Sequence, residues 1–299
     1  MEDRRNLPEA FRMRMKRLLG TEWEAFQASY DKERSYGLRR NPLKSSREIF
    51  TAQMPYTLEK VSWAEEGYYY PAEEQPGKDV LHEAGVYYIQ EPSAMAVVEI
   101  LDPQPGERIL DLCAAPGGKS TQIAGRMQGE GLLVANEVIS DRARILSQNV
   151  ERMGIKNCVV CSEDPEHMTE LFPGFFDRIV VDAPCSGEGM FRKDQTAVEQ
   201  WSKEHVRMCA DRQLTILKAA ARCLKPGGVL VYSTCTFAPE ENEGTISRFI
   251  GEQEDFFLEK VPCDEAFAPG QTQWAMQPVP GLAYTMRLWP HRLRGEGHY

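Results

Sequence analysis

From about residue 106 onward, short apolar runs alternate with longer stretches whose apolar residues recur at helical spacing. The predicted strands are residues 108–112, 132–136, 158–161, 178–182 and 229–233. The predicted helices between them are residues 119–127, 141–153 and 203–224. Strands that alternate with helices indicate a parallel, doubly wound α/β sheet. A last apolar run at 284–289 is expected to return to this sheet.

The chain before residue 90 has a different pattern. Residues 8–30 read as helical, because Phe11, Met15, Leu18 and Leu19 fall at helical spacing among basic residues. A break at Asn41-Pro42 precedes short apolar runs with turn signals, which predict a small α/β module up to residue 90. We therefore expect an N-terminal region at 1–90 and a larger domain at 91–299.

The first strand of the larger domain leads into a turn of small residues, DLCAAPGGKS at 111–120. In doubly wound sheets, ligands bind beyond the carboxyl ends of the strands, and small residues let the backbone approach them closely. The turn ends like a phosphate-binding P-loop, but Cys113 occupies the position of the required first glycine. The dinucleotide motif G-x-G-x-x-G is also absent from the sequence, so an NTPase is the least favoured function.

Two acids at the ends of the next strands point to a nucleoside ligand. Glu137 follows the second strand, where a carboxylate can bind ribose hydroxyls. Asp164 follows the third strand, where it can accept a hydrogen bond from an adenine amine. S-adenosylmethionine fits such a site, because it has adenosine, lacks phosphates and carries a positive sulfonium that favours acidic surroundings.

Two cysteines each lie just past a predicted strand. Cys185 lies in VDAPCSG at 181–187, and Cys235 lies in VYSTCT at 231–236. Two thiols delivered to one sheet edge indicate covalent chemistry that needs sulfur at two different steps. Packing alone is the other interpretation, and polar neighbours of both cysteines disfavour it. The C-x-x-C at 158–161 lies in an apolar strand, so we interpret it as buried cysteines and expect no metal site.

Taken together, these segments resemble the RNA cytosine-C5 methyltransferases of the NOL1/NOP2/sun family, in particular its bacterial 16S ribosomal RNA members. The resemblance covers essentially the whole chain. It is carried by 111–119, by DAPCSG at 182–187 and by STCT at 233–236, with further familial segments QEPSAM at 90–95 and NPLK at 41–44. It implies a class I S-adenosylmethionine-dependent methyltransferase domain at 91–299. It also implies a small N-terminal α/β domain that contributes to RNA binding.

The resemblance also implies roles for individual residues. It assigns the nucleophile to Cys235 and the release step to Cys185, whereas spacing alone leaves the reverse order open, as in DNA cytosine-C5 methyltransferases. Asp182 would hold the cytosine ring, and Lys119 would line the catalytic pocket or cap the helix after the turn. The implied cofactor-binding residues are Cys113, Ala114, Ala115, Pro116, Gly117, Gly118, Lys119, Glu137, Arg142, Asp164 and Asp182.

The distribution of charge along the chain indicates which segment could bind RNA. The chain carries a net charge of −10, but residues 1–48 hold twelve Lys/Arg against eight Asp/Glu. The basic residues at 12–17 and 39–47 are therefore candidates for contact with RNA phosphates, although a solvated helix face explains them equally well. Tyr68, Tyr69 and Tyr70 could stack on bases or form one buried face of a strand.

The expected partner is 16S ribosomal RNA or the 30S subunit, and transfer RNA is the alternative acceptor. A non-catalytic RNA-binding assembly factor is the competing class, and the presence of both cysteines and Asp182 disfavours it. No apolar run reaches the ~20 residues of a membrane span, and residues 1–5 lack the apolar core of a signal peptide. We expect a cytoplasmic monomer. Relatives usually continue into a C-terminal RNA-binding domain beyond the position of Tyr299, and weak methylation is expected if such a domain has been removed.

Overall fold

The structure is a computed structural model, and it describes residues 7–299. The predicted absence of a signal peptide concerns residues 1–5, which lie outside the described residues. The helices are α1 (Glu9–Leu19), α2 (Trp23–Ser29), α3 (Arg47–Gln53), α4 (Val80–Glu83), α5 (Pro92–Leu101), α6 (Gly118–Met127), α7 (Ser140–Arg152), α8 (Pro165–Leu171), α9 (Gln195–Gln200), α10 (Lys203–Cys223) and α11 (Glu243–Glu252). The strands are β1 (Gly37–Arg40), β2 (Glu59–Lys60), β3 (Gly67–Tyr69), β4 (Tyr87–Ile89), β5 (Arg108–Asp111), β6 (Leu132–Asn136), β7 (Cys158–Cys161), β8 (Phe176–Asp182), β9 (Leu224–Ser233), β10 (Ala268–Pro269) and β11 (Met286–Arg287).

The chain packs into two compact units, and each is assembled from separated segments. The sheet unit consists of Tyr36–Ala183 and Thr215–Ser233. The paired-cysteine unit consists of the described residues up to Ser35, together with Pro184–Leu214 and Thr234–Tyr299. The division of the sequence near residue 90 stays a prediction about domain organisation.

The sheet unit is built on five parallel strands in the order β7-β6-β5-β8-β9. The central strands are apolar and inaccessible to solvent, as Ile109, Leu133 and Val180 show. Helices α5 and α6 pack against these residues through Val98, Leu101, Ile123 and Met127 in one continuous core. The predicted parallel α/β sheet is therefore confirmed, because buried apolar runs are typical of strands covered by crossover helices.

A second, antiparallel sheet in the same unit has the order β2-β3-β1-β4. Both Tyr68 and Tyr69 on β3 are 5% exposed, and they point into two different cores. The strand thus buries both of its faces rather than one. These two side chains are packing residues and are not available to stack on RNA bases.

The paired-cysteine unit has a core of aromatic rings. Phe11 on α1 and Phe26 on α2 are fully buried against Trp201, Phe237 and Trp289. The predicted helix over 8–30 is divided into α1 and α2, because Gly20 adopts a positive φ of 53° and a short 3₁₀ turn follows at Gly20–Glu22.

The prediction that 284–289 returns to the parallel sheet is wrong. Strand β11 pairs with β10 in a separate two-stranded antiparallel ribbon. The physical reason is Arg287, whose buried guanidinium forms an ion pair with Glu243 on α11. The same guanidinium lies 4.7 Å from the ring centroid of Trp274 and 5.1 Å from that of Trp289. Apolar alternation predicts a strand but does not identify its partner.

Candidate active-site residues in the two units

The turn after β5 is held from three sides within the sheet unit. Arg142 on α7 donates a 2.9 Å hydrogen bond to the carbonyl of Ala115, and Asn149 donates one of 2.8 Å to the carbonyl of Pro116. Arg39 on β1, which is buried, donates to the Gly118 carbonyl at 3.0 Å and to Thr121 Oγ1 at 2.7 Å. These contacts fix the backbone of the turn.

Small side chains shape this turn. Ala114 and Ala115 are buried against α7, and Gly117 has a φ of 115°, which favours glycine at the start of α6. Burial raises the pKa of the Cys113 thiol, with nearby acids adding to the effect. Cys113 is therefore a protonated lining residue and is unsuited to be a nucleophile.

Glu137, at the end of β6, has a carboxylate that is held in place. It is 3% exposed, accepts a hydrogen bond from the Ile139 amide at 3.1 Å and forms a 3.1 Å ion pair with Arg142. Arg142 thus bridges the turn and this acid. The pair fixes the position of the Glu137 carboxylate at the carboxyl end of the sheet, next to the segment that the sequence assigned to the cofactor.

Asp164 has a local structural task of its own. It is exposed, and its side chain caps α8 by accepting a 2.9 Å hydrogen bond from the Glu166 amide. An N-cap carboxylate of this kind stabilises the first turn of a helix. Its predicted contact with adenine stays a prediction.

Two buried polar residues at the strand ends received no role from the sequence. Burial raises the pKa of Asp111 to about 7, and its Oδ2 accepts a 2.6 Å hydrogen bond from Ser120. Its other oxygen, Oδ1, is buried without a hydrogen-bond partner among residues 7–299. Asn136 ties strand ends together by donating to the carbonyls of Leu112 and Glu163. Their position at strand ends was the only signal available.

Two of the four predicted catalytic residues contact each other in the sheet unit. The ammonium of Lys119 lies 2.5 Å from Asp182 Oδ2, and Ser233 Oγ donates to Asp182 Oδ1 at 2.9 Å. Lys119 is buried, and its side chain pairs with Asp182 instead of capping α6. These two contacts orient Asp182 at the end of β8, and its side chain remains 30% exposed to solvent.

The other two predicted catalytic residues form a pair in the paired-cysteine unit. The sulfurs of Cys185 and Cys235 lie 3.3 Å apart, within hydrogen-bond distance, and both are free thiols. The Gly189 amide donates to the Cys235 carbonyl at 2.8 Å, which joins the loops that carry them. The hydrogen bond to Cys235 and burial raise the pKa of the Cys185 thiol well above its ordinary value.

A buried carboxylate, Glu241, organises both cysteine loops. It accepts hydrogen bonds from the amide and hydroxyl of Ser186, next to Cys185, and from Gln213 on α10 at 2.8 Å. Ser186 Oγ in turn lies 2.9 Å from Thr236 Oγ1, next to Cys235. Burial raises the pKa of Glu241 to about 7. Sequence reasoning missed this residue, because acids are exposed by default.

A second buried acid, Glu188, anchors the same loops to α1. Its carboxylate pairs with Arg14 at 2.5 Å, accepts from Trp201 Nε1 at 2.8 Å and accepts from the Phe237 amide at 3.2 Å. Glu188 follows Cys185 by three positions, and Phe237 follows Cys235 by two. The spacing of the two thiols therefore depends on internal charge pairs.

Part of the predicted RNA-contacting segment is not available for that role. Arg39 is 1% exposed and Arg40 is 7% exposed, and Arg40 pairs with Glu66. Both are internal structural cations of the sheet unit. On α1, by contrast, Arg12, Lys16 and Arg17 are exposed.

Residues 7–299 contain neither a metal-binding cluster nor a membrane-spanning helix. No group of three or more His, Cys, Asp or Glu side chains there is arranged to hold a metal ion. None of the helices in this described part of the chain has the length and apolarity that crossing a bilayer requires.

Comparison with known proteins agrees with the sequence resemblance. A family model described as 16S rRNA methyltransferase RsmB/F matches residues 98–299. A model described as the N-terminal domain of 16S rRNA methyltransferase RsmF matches residues 7–92.

Curated relatives carry a consistent description. Ribosomal RNA small subunit methyltransferase F of Vibrio parahaemolyticus serotype O3:K6 is 38% identical over 247 residues, covering 79% of this chain and 52% of the relative. The protein of that name from Escherichia coli O17:K52:H18 is 37% identical over 274 residues, covering 88% of this chain and 57% of the relative. The chain thus spans little more than half the length of these relatives.

Solved structures show the same fold. A methyltransferase homologue from Pyrococcus horikoshii is 29% identical with a TM-score of 0.85, covering 98% of this chain and 93% of that one. NSun6 from the same organism has a TM-score of 0.82 at 22% identity, covering 97% and 96% of the two chains. The predicted class I methyltransferase fold is confirmed. Since a family model matches more than half of its length, the chain belongs to the RsmB/F family of 16S rRNA methyltransferases.

Proposed function

We propose that this protein methylates C5 of cytosine in 16S ribosomal RNA, with S-adenosylmethionine as methyl donor. The observation that carries the proposal is the pair of free thiols 3.3 Å apart, in which Cys185 has a raised pKa. A lone reactive cysteine would serve many chemistries. Two adjacent thiols, of which Cys185 is held protonated, suit a reaction in which one sulfur attacks and the other assists release.

The residues present fit S-adenosylmethionine. The turn at 113–118 offers a backbone that small side chains leave open to close approach, and Glu137 offers a fixed carboxylate for ribose hydroxyls. Asp111 Oδ1, buried and without a partner among the described residues, is a ready acceptor for a polar ligand group. When bound, the cofactor supplies an electrophilic methyl group on a sulfonium. The proposed cofactor-binding set is completed by Cys113, Arg142 and Asp164. Arg142 contributes by holding Glu137 in place.

The attack step follows from the protonated state of Cys185 and its contact with Cys235. A thiolate is the nucleophile, and a raised pKa leaves Cys185 protonated at neutral pH. Cys185 can then donate its hydrogen bond to the sulfur of Cys235 and stabilise negative charge there. We therefore assign Cys235 as the nucleophile that adds to C6 of the cytosine, which makes C5 electron-rich and able to take the methyl group.

The release step needs a base and a leaving group. After methyl transfer, C5 loses its proton, the C5–C6 double bond re-forms and the bond between C6 and the Cys235 sulfur breaks. Cys185, which is protonated, assists by donating its hydrogen bond to the Cys235 sulfur as that sulfur leaves as a thiolate, while the C5 proton passes to water. Asp182, oriented by Lys119 and Ser233, would hold the ring through its N3 edge.

The test is methyl transfer from tritiated S-adenosylmethionine to three acceptors: free 16S ribosomal RNA, 30S subunits and transfer RNA. We expect label as 5-methylcytosine in a 16S acceptor, located by bisulfite sequencing, and none with the Cys235→Ala variant. Label in transfer RNA alone would refute the proposal that 16S ribosomal RNA is the methyl acceptor. Absence of label in all three would refute the activity. An enzyme that acts on ribosomal RNA works where ribosomes are, so the proposal includes a cytoplasmic location.

A further inference from the structure

A groove of about 760 Å³ lies in the paired-cysteine unit, between α1 and the first turns of α10. Its lining includes four cations, Arg14, Arg17, Lys203 and Arg207. Small-molecule pockets span about 300–1,000 Å³, so the groove can hold a nucleotide rather than a lone ion.

Most of this positive charge is not neutralised by other groups among residues 7–299. Arg14 is engaged, because it pairs with buried Glu188 at 2.5 Å and approaches Glu240 at 3.9 Å. Arg17, Lys203 and Arg207 are exposed, and none of the three has a hydrogen bond or ion pair within residues 7–299. The lining also contains two acids, but Glu240 already faces Arg14, so Glu9 is the acid left to balance these three positive charges. An exposed excess of cations facing one groove favours an anionic occupant.

The groove also has an apolar part. Met13 and Val206 contribute to its lining, and Met13 is 68% exposed, so its side chain is accessible to an occupant. Cations beside an apolar surface match a nucleotide strand, whose phosphates are anionic and whose bases and sugars present apolar faces. An inorganic anion would use only the cations.

The wall of the groove is continuous with the loops of the paired thiols. Glu240 lines the groove and follows Cys235 by five positions. Glu188, the partner of Arg14, follows Cys185 by three positions and also binds the Phe237 amide. A strand lying in the groove would therefore contact the elements that hold both sulfurs.

We propose that this groove binds the sugar-phosphate backbone of the RNA segment next to the target cytosine, with Arg17, Lys203 and Arg207 as its phosphate contacts. The inference rests on the proposed RNA methylation and specifies the site at which the protein binds the backbone of its RNA substrate. A methyltransferase that must take one base out of its stack gains from holding the adjacent backbone.

The test compares two triple variants of equal charge. The groove variant is Arg17→Gln/Lys203→Gln/Arg207→Gln. The control is Lys78→Gln/Lys156→Gln/Lys260→Gln, which removes three exposed cations outside the groove. Binding of a 16S ribosomal RNA fragment is measured against salt, and KM for that RNA is measured in methyl transfer.

We expect the groove variant to reduce the slope of log K against log salt by about 2, at ~0.7 per lost contact to single-stranded RNA. Its KM for RNA should rise at least tenfold, while the control variant changes both quantities little. Unchanged affinity for S-adenosylmethionine confirms that the groove variant is folded.

Two results would overturn the proposal. One is equal slopes and KM values for the two variants while the wild type methylates RNA. The other is a groove variant that loses affinity for intact 30S subunits but keeps the wild-type affinity for free RNA. That result would make a ribosomal protein the occupant of the groove. A wild type that methylates no RNA would instead refute the proposed function, so the two failures are distinguishable.

Discussion

The two units hold their reactive groups by different physical means. In the sheet unit, the turn at 113–118 follows directly from β5 and is fixed by hydrogen bonds to its own carbonyls. In the paired-cysteine unit, the thiols lie on loops that are held by buried carboxylates. Glu188 pairs with Arg14, which is 174 positions away, and Glu241 binds Ser186, which is 55 positions away.

This difference decides what each region tolerates. A turn fixed at its backbone depends on the small size of its side chains and on the strand before it. A thiol pair fixed by buried acids depends on charge neutralisation, since removing one partner of a buried ion pair leaves the other uncompensated. The loops that carry the two thiols should therefore be more sensitive to single changes of charge than the turn at 113–118.

The largest expected effect is on Glu188. Glu188→Ala leaves the guanidinium of Arg14 without its 2.5 Å partner and removes the acceptor of Trp201 and of the Phe237 amide. Breaking a buried pair in this way costs about 3–5 kcal/mol, measured as the free energy of unfolding in urea. The matched control is Glu65→Ala, which removes an exposed partner of Arg126 in the sheet unit and should cost about 0–1 kcal/mol. Equal losses would contradict the comparison.

A smaller effect is expected at the cofactor site. Glu137→Ala should weaken binding of S-adenosylmethionine by about 1.5–3 kcal/mol for each charge-assisted hydrogen bond lost, as measured by calorimetry. Glu130→Ala, which removes an exposed acid of the same unit, should leave the affinity unchanged. If both variants bind as tightly as the wild type, Glu137 does not contact the ribose.

The smallest effect is a change in pH dependence. Burial raises the pKa of Glu241 to about 7 in the folded state, above its ordinary value of 4.5. Between these values the folded protein binds more protons than the unfolded chain, so stability is greatest below the lower value and falls as pH rises toward 7. The fall is at most about 1.4 kcal/mol per pH unit for one group. Glu241→Gln should flatten this fall.

Asp111 sharpens that result, because burial also raises its pKa to about 7, and it lies in the sheet unit. Asp111→Asn should therefore remove a second, independent part of the fall in stability. The measurement is the free energy of unfolding from pH 4 to pH 8. A difference in stability between the wild type and each variant that stays constant with pH in this window would show that neither acid is protonated as described.

Much of the sheet unit could be predicted from the sequence, because its information is local. The strands β5, β6, β7 and β8 are short apolar runs, and the glycines of the turn mark where α6 begins. These features follow from periodicity and backbone freedom, which a single sequence displays.

The remainder depends on contacts between distant segments. The pairing of β11 with β10 follows from the buried Arg287–Glu243 pair, which no local pattern announces. The roles of Glu188 and Glu241 are hidden for the same reason, since a buried acid resembles an exposed one in sequence. Proximity of Cys185 to Cys235 was predictable, but the groups that hold the two sulfurs in place were not.

The central claim is that the two thiols act at different steps, and trapping the covalent RNA adduct tests it most directly. Each single cysteine-to-alanine variant is incubated with RNA and methyl-tritiated S-adenosylmethionine and examined by denaturing electrophoresis. Cys185→Ala should accumulate an adduct that carries label, because attack and methyl transfer proceed while release stalls. Cys235→Ala should form no adduct, and the double variant should behave like it. A labelled adduct in Cys235→Ala and none in Cys185→Ala would contradict the assignment and reverse the two roles.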